Sequence, residues 1–160
     1  MLKPLCSLVV ASSVALALAA SGLAAGAAGE LGKTKVLKGQ TAGVKLAVTP
    51  TAFKDNVSGY GVDGRYRVGC LTVKVKNLGK SRLDEIIESG SVLVVQGGGE
   101  ASSFIATGGS CDTASILKLP PGKSKSITVP FRMHKEAKVL LAYELTTSSG
   151  FGETASWKLR

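Results

Sequence analysis

The sequence predicts an all-β fold, a two-sheet antiparallel sandwich of about seven strands with one short helical crossover. Three observations carry that expectation. Apolar and polar residues alternate with a period of two in several runs, the mark of strands with one buried and one wet face. Glycine and proline turn signals separate these runs at short intervals. Strand patterns do not alternate with helical ones, which argues against a parallel sheet.

The longest strand-forming run is Gly64–Gly79, and the chain reads as built around it. From Gly69 onward Leu71, Val73 and Val75 alternate with Thr72, Lys74 and Lys76, until Asn77-Leu78-Gly79 closes the run as a turn. Before Gly69 the apolar positions are Tyr66 and Val68, in the opposite phase, so the pattern predicts a β-bulge near Gly69.

Upstream, Glu30–Gln40 is polar around Val36-Leu37 and reads as a short edge strand or a loose lead-in. Val44, Leu46 and Val48 mark a half-buried strand that Pro50 is expected to stop. Thr51–Gly64 is a long loop. Downstream, Leu83, Ile86 and Ile87 have helical spacing within Ser81–Ser89. Ser81 can cap that segment, Asp84 stands three residues on, and Gly90 can end it. Val92–Val95 is a continuous apolar run, as of a strand covered on both sides, and Gly97-Gly98-Gly99 turns it. Phe104 and Ile105 suggest another short strand before Gly108-Gly109. Leu119-Pro120-Pro121-Gly122-Lys123 is the most specific turn signal in the chain. Beyond it Ile127, Val129 and Phe131 alternate with Ser126, Thr128 and Pro130, and Pro130 points to an edge or a strand end. Val139–Leu145 and the alternation of Ala155, Trp157 and Leu159 supply the last two strands, with Gly150 and Gly152 between them.

The chain of 160 residues allows one ordinary domain. Residues 1–28 join Lys3, the apolar stretch Leu5–Ala20 and a zone of small residues, the three parts of a secretory signal peptide. The alternative is an uncleaved anchor, though the apolar stretch is short for a bilayer span. Residues 29–160 then form the exported domain, without stable membrane insertion after cleavage. Cys6 leaves with the signal peptide, and Cys70 and Cys111 remain. An even pair in an oxidising compartment most often forms a disulfide, here closing a loop that contributes about 4 kcal/mol. A reactive thiol with His134 as its base is the other reading. Net charge is +9, or +8 once Lys3 is gone, which draws the domain to polyanions. Outside a cell those are wall polymers and anionic lipids, so no nucleic acid is expected.

Three features lie in order along the chain: the basic strand ending in Val-x-Val-x-Asn-x-Gly at Val73–Gly79, the Leu-Pro-Pro-Gly-Lys-Ser turn into Ile127, Val129 and Phe131, and the final Trp157 strand. Together they resemble a secreted bacterial family of unknown function whose relatives include a mycobacterial secreted immunogenic antigen. The resemblance covers roughly Gly39–Arg160. It implies an immunoglobulin-like β-sandwich and an extracellular or cell-surface setting, and it carries no catalytic residue across.

Motifs that could carry chemistry are weak. Gly59–Gly64 matches G-x-G-x-x-G, but a strand follows where a dinucleotide site needs a helix. Ser115-Ile116-Leu117-Lys118 matches S-x-x-K yet runs straight into Pro120-Pro121. His134 is the single histidine, too few soft ligands for copper or zinc. Asp55, Asn56 and Asp63 lack the regular spacing of a calcium loop. Asp84, Glu85 and Glu88 cluster as a solvated face would. No catalytic residue, metal site or cofactor is therefore expected.

Two functional readings remain. One is a secreted, non-enzymatic binding or adhesion module, which an exposed cluster of Phe53, Tyr60 and Phe151 would favour. The other is an envelope-associated structural protein held near anionic cell-wall polymer by its basic surface, which a lysine-covered surface would favour. The partner is such a polymer or another extracellular protein. The residues expected to contact a polyanion are Lys45, Lys74 and Lys76, extended by Lys80 and Arg82.

Overall fold

The computed structural model describes residues 29–39, 42–58, 60, 62–85, 91–95, 100–103, 111, 117–137, 140–147 and 153–159. Strand-forming sequence and antiparallel pairing organise them into two facing sheets, the antiparallel β-sandwich that the sequence predicts. One sheet holds β2 (Lys35–Lys38), β3 (Lys45–Lys54), β4 (Tyr66–Asn77) and β9 (Ser124–His134), in that order. The other runs β1 (Gly29–Glu30), β11 (Thr154–Lys158), β10 (Leu140–Thr146), β6 (Ser91–Val95) and β7 (Glu100–Ser102). A third pair, β5 (Leu83–Glu85) with β8 (Leu117–Leu119), sends Leu83, Leu117 and Leu119 into the core. All pairings are antiparallel except the two-residue β1 against β11.

β4 is an interior strand of the four-stranded sheet, between β3 and β9. Leu71, Val73 and Val75 are fully buried and meet Leu46, Val48, Ile127, Val129, Phe131, Leu93, Leu145 and Trp157 in one core. Each fully buried Leu or Phe of this kind stabilises by about 1.5–3 kcal/mol. The two sheets also touch at both sides. On one side Ser103 bridges Phe131 of β9. On the other, three side chains bond to the backbone of β2 and the turn before it. Trp157 Nε1 donates to the Lys33 carbonyl at 2.8 Å, Thr147 Oγ1 donates to the Lys38 carbonyl at 2.9 Å, and the Lys38 amide donates to Glu153 Oε2 at 2.8 Å.

Several local expectations change. β4 has no bulge at Gly69: its register against β9 is unbroken from Tyr66↔His134 to Lys76↔Ser124. The irregularity lies in β3 instead, between Pro50 and Ala52. Gly69 keeps the phase and faces inward, where a Cβ would stand 2.5 Å from the Phe53 ring and 2.7 Å from the Met133 methyl. Neighbouring side chains fill the place of the missing one, which mimics a phase slip in the sequence. Pro50 does not stop β3. Its carbonyl accepts the Gly32 amide at 2.7 Å, and its nitrogen points to the same side, past the end of β2 pairing, where no ladder donor is needed. Pro130 likewise sits within β9, an edge strand, as the edge reading expects.

The helical crossover is not seen among the described residues. Leu83–Glu85 is a strand, with Leu83↔Leu119, Asp84↔Lys118 and Glu85↔Leu117 in register. Pairing with β8 and burial of Leu83 outweigh a local pattern that rested on Ile86 and Ile87, which lie outside the described residues. The described residues hold eleven strands rather than about seven, because four of them are pieces of two or three residues that leave no periodic signal. Residues 1–28, Gly97–Gly99, Phe104–Ile105, Gly108-Gly109, Gly150, Phe151 and Gly152 also lie outside the described residues. Among the described residues, no helix is long and apolar enough to cross a membrane.

Candidate polyanion-binding face

The Pro-Pro-Gly and Asn-x-Gly turns fix the end of the sandwich where the lysines gather. Gly122 has φ of +74°, and the Lys123 amide donates to the Pro120 carbonyl at 3.2 Å, a type II turn that glycine makes possible. Asn77 is fully buried. Its Nδ2 donates to the carbonyls of Ser81 and Leu119, both at 2.8 Å, and its Oδ1 accepts the Gly79 amide at 2.8 Å. Gly79 packs on the Gly43–Lys45 backbone, which ties this turn to the β2–β3 hairpin.

That geometry sets the register of the sheet and hence its outer face. Odd-numbered β4 residues point into the core, so Lys74 and Lys76 point out, and both are exposed. Across the sheet, Thr49↔Lys74↔Ser126 forms one outward row and Val36↔Ala47↔Lys76↔Ser124 the next. Lys38↔Lys45 begins the row after that. The structure therefore brings Lys45, Lys74 and Lys76 onto one face, as expected, and Lys80 joins at its end, its amide bonded to the Gly43 carbonyl. Arg82 is partly engaged elsewhere, with Nε 3.3 Å from Asp84.

Sequence reasoning missed Lys38, Lys54 and Arg132, which also stand outward on this face. The signal for Lys38 was its mirror position to Lys45 about the hairpin, which Gly43 at φ +82° turns. More telling is composition by element: β2, β3, β4 and β9 contain no Asp or Glu at all. Lys45, Lys74, Lys76 and Lys80 make no ion pair with any carboxylate among the described residues. Glu153 reaches the corner of the face from β11's side, 3.4 Å from Lys38 Nζ. The Lys38 amide, then the Lys38 and Lys45 charges, hold its carboxyl below the usual glutamate range.

Further along, the outer face is covered. Val68 and Cys70 keep the outward phase yet are buried, and Cys70 is bonded to Cys111 with the two Cα atoms 6.0 Å apart. The Cys111 amide donates to Tyr60 Oη at 2.7 Å, which ties the segment after β3 into this cover. The expected loop from Thr51 begins only after Lys54, because β3 runs on past Pro50. With both sulfurs bonded, neither is a thiolate for His134 to activate. His134 instead packs edge-on to Tyr66, its ring centre 5.5 Å away, and Arg132 lies over the Tyr66 ring at 5.1 Å.

The remaining singled-out residues serve structure. Asp55 accepts Arg67 Nε at 2.8 Å, while the other Arg67 nitrogens bond the carbonyls of His134, Lys135 and Ala137. Asp63 accepts the Arg65 side chain and amide, which lowers its pKa. Gly64 leads into β4 through a turn closed by the Tyr66 amide on the Asp63 carbonyl. The aromatic cluster is not assembled as an exposed site among the described residues: Phe53 packs against the core beside Gly69, and Tyr60 binds Cys111.

No protein-family model matches the chain, and no curated protein matches it in sequence. Among solved structures it is similar to MPT63, a secreted protein from Mycobacterium tuberculosis, at 15% identity and a TM-score of 0.62, over 82% of this chain and 95% of that one. It is also similar to a predicted lipoprotein (ycdA) from Bacillus subtilis, at 16% identity and a TM-score of 0.54. That match spans 81% of this chain and 38% of the lipoprotein. At such identities the likeness shows the fold.

Proposed function

We propose that the protein is a secreted, non-enzymatic module held to phosphodiester anions of the bacterial envelope by the outer face of β2-β3-β4-β9. One observation carries this reading: a continuous four-stranded sheet without a single carboxylate, whose outward rows hold Lys38, Lys45, Lys74 and Lys76. Same-sign, and paired among the described residues only where Lys38 meets Glu153 at its corner, such a face attracts polyanions through charge, with a strong dependence on salt. The signal-peptide pattern of residues 1–28 and the secreted and lipoprotein character of the structural neighbours support the compartment. N-terminal sequencing of exported protein checks the processing step, with Ala28–Glu30 as the expected start.

The test is a titration of processed protein at rising salt with long-chain inorganic polyphosphate, a phosphoanhydride chain that stands in for a phosphodiester polymer because each internal phosphate carries one negative charge. Affinity should fall as salt rises, and by about tenfold or more in a Lys74→Glu, Lys76→Glu double variant with unchanged melting temperature. Absence of binding at low salt would return these lysines to the role of keeping the wet face of the sheet soluble and unpaired.

A further inference from the structure

Phosphodiester anions come from two sources, wall polymers and phospholipid headgroups, and two side chains distinguish them. Val36 and Leu78 are the exposed large hydrophobic residues among those described, at 53% and 45% of full exposure. Both stand in the lysine field. Val36 is the register partner of Ala47, and Ala47 of Lys76. The Leu78 amide donates to the Lys45 carbonyl at 2.7 Å, which sets Leu78 beside Lys45, itself the partner of Lys38. Successive outward rows are about 7 Å apart. Val36, Ala47 and Leu78 thus lie on a diagonal across two adjacent outward rows whose other positions are Lys38, Lys45 and Lys76, with Lys80 just beyond.

A soluble polymer binding through charge has no use for those apolar side chains. A bilayer surface uses both parts: ammonium groups meet headgroup phosphates while apolar side chains enter the boundary with the acyl chains. Lysine stems lie along such a boundary with their charged ends in the headgroup layer. We infer that this corner of the sheet docks on an anionic phospholipid bilayer, with Val36 and Leu78 as the inserted residues. The inference rests on the reading of the same face as a phosphodiester binder and adds the surface that it recognises.

The experiment is vesicle co-sedimentation of the processed protein, with intact mass establishing that residues 1–28 are gone. Phosphatidylglycerol–phosphatidylcholine vesicles are compared with phosphatidylcholine alone and with polyphosphate in solution. A Val36→Ser, Leu78→Ser variant should lose vesicle binding by about tenfold while keeping its polyphosphate affinity and melting temperature. Leu78→Trp should strengthen vesicle binding and shift its fluorescence to the blue on mixing. Vesicle binding indifferent to both variants, or no stronger than polyphosphate binding at equal phosphate, overturns the bilayer in favour of a charged polymer. Loss of the polyphosphate signal in the unaltered protein is a different failure, that of the phosphodiester reading itself.

Discussion

Asn77 and Leu119 are joined through a buried hydrogen bond, Asn77 Nδ2 to the Leu119 carbonyl at 2.8 Å, that ties the end of β4 to β8. The same amide holds the Ser81 carbonyl and receives the Gly79 amide, so every polar atom of a fully buried side chain is satisfied. Asn77→Ala takes the Asn77 partner from two carbonyls and one amide and should cost about 2–4 kcal/mol. Asn77→Asp should cost more, since it sets a carboxylate against two carbonyl oxygens. Chemical denaturation checks both, and an alanine variant of unchanged midpoint would refute the assignment.

Two glycines, Gly69 and Gly79, should respond differently to the same methyl group. At Gly69 a Cβ meets the far ends of Phe53 and Met133, which can move. At Gly79 it meets the Gly43 carbonyl oxygen and, at 2.7 Å, the Lys45 backbone nitrogen, which cannot. Gly69→Ala should cost about 1 kcal/mol and Gly79→Ala about 3 kcal/mol or more. A Phe53→Leu background should relieve the Gly69→Ala penalty, and a double-mutant cycle measures the coupling.

The Cys70–Cys111 bond closes a loop with a sequence separation of 41. Reduction, or a double Cys→Ser variant, should remove about 4 kcal/mol and lower the melting temperature by on the order of 10 °C. Alkylation of the native protein should label neither cysteine.

Glu153 links stability to pH at the corner between β2 and β11. The Lys38 amide and then the lysine charges lower its folded-state pKa, so its contribution is present above the ordinary glutamate value. It is lost as pH falls through the lower folded value. Melting temperatures measured from neutral to strongly acid pH should therefore converge for the unaltered protein and Glu153→Gln, with the difference confined to the neutral side.

Which parts were legible follows from what sequence encodes locally. The strict alternation of Leu71–Lys76 and Ile127–Phe131 and the Pro121-Gly122 turn announce themselves, because backbone geometry and one buried face impose them. The outward placement of Lys74 and Lys76 follows from the same period. Lys38 and Arg132 join the face through cross-strand register, which no single strand records. Gly69 misled because a hole filled by Phe53 and Met133 looks, in one dimension, like a slip of phase. Leu83 misled because three residues of strand and one helical turn share an apolar pattern until a partner strand decides.

The bonds that Thr147 and Glu153 make to Lys38 take both the amide and the carbonyl that the end of β2 would otherwise turn toward solvent. Trp157 takes the Lys33 carbonyl just before the strand begins. An edge strand with free groups is a template on which a second copy can add a strand, and the hazard grows with local concentration. A protein gathered on an anionic surface is crowded in just that way. On the anionic surface proposed for this protein, side chains that occupy the backbone of β2 would block growth of a sheet from molecule to molecule.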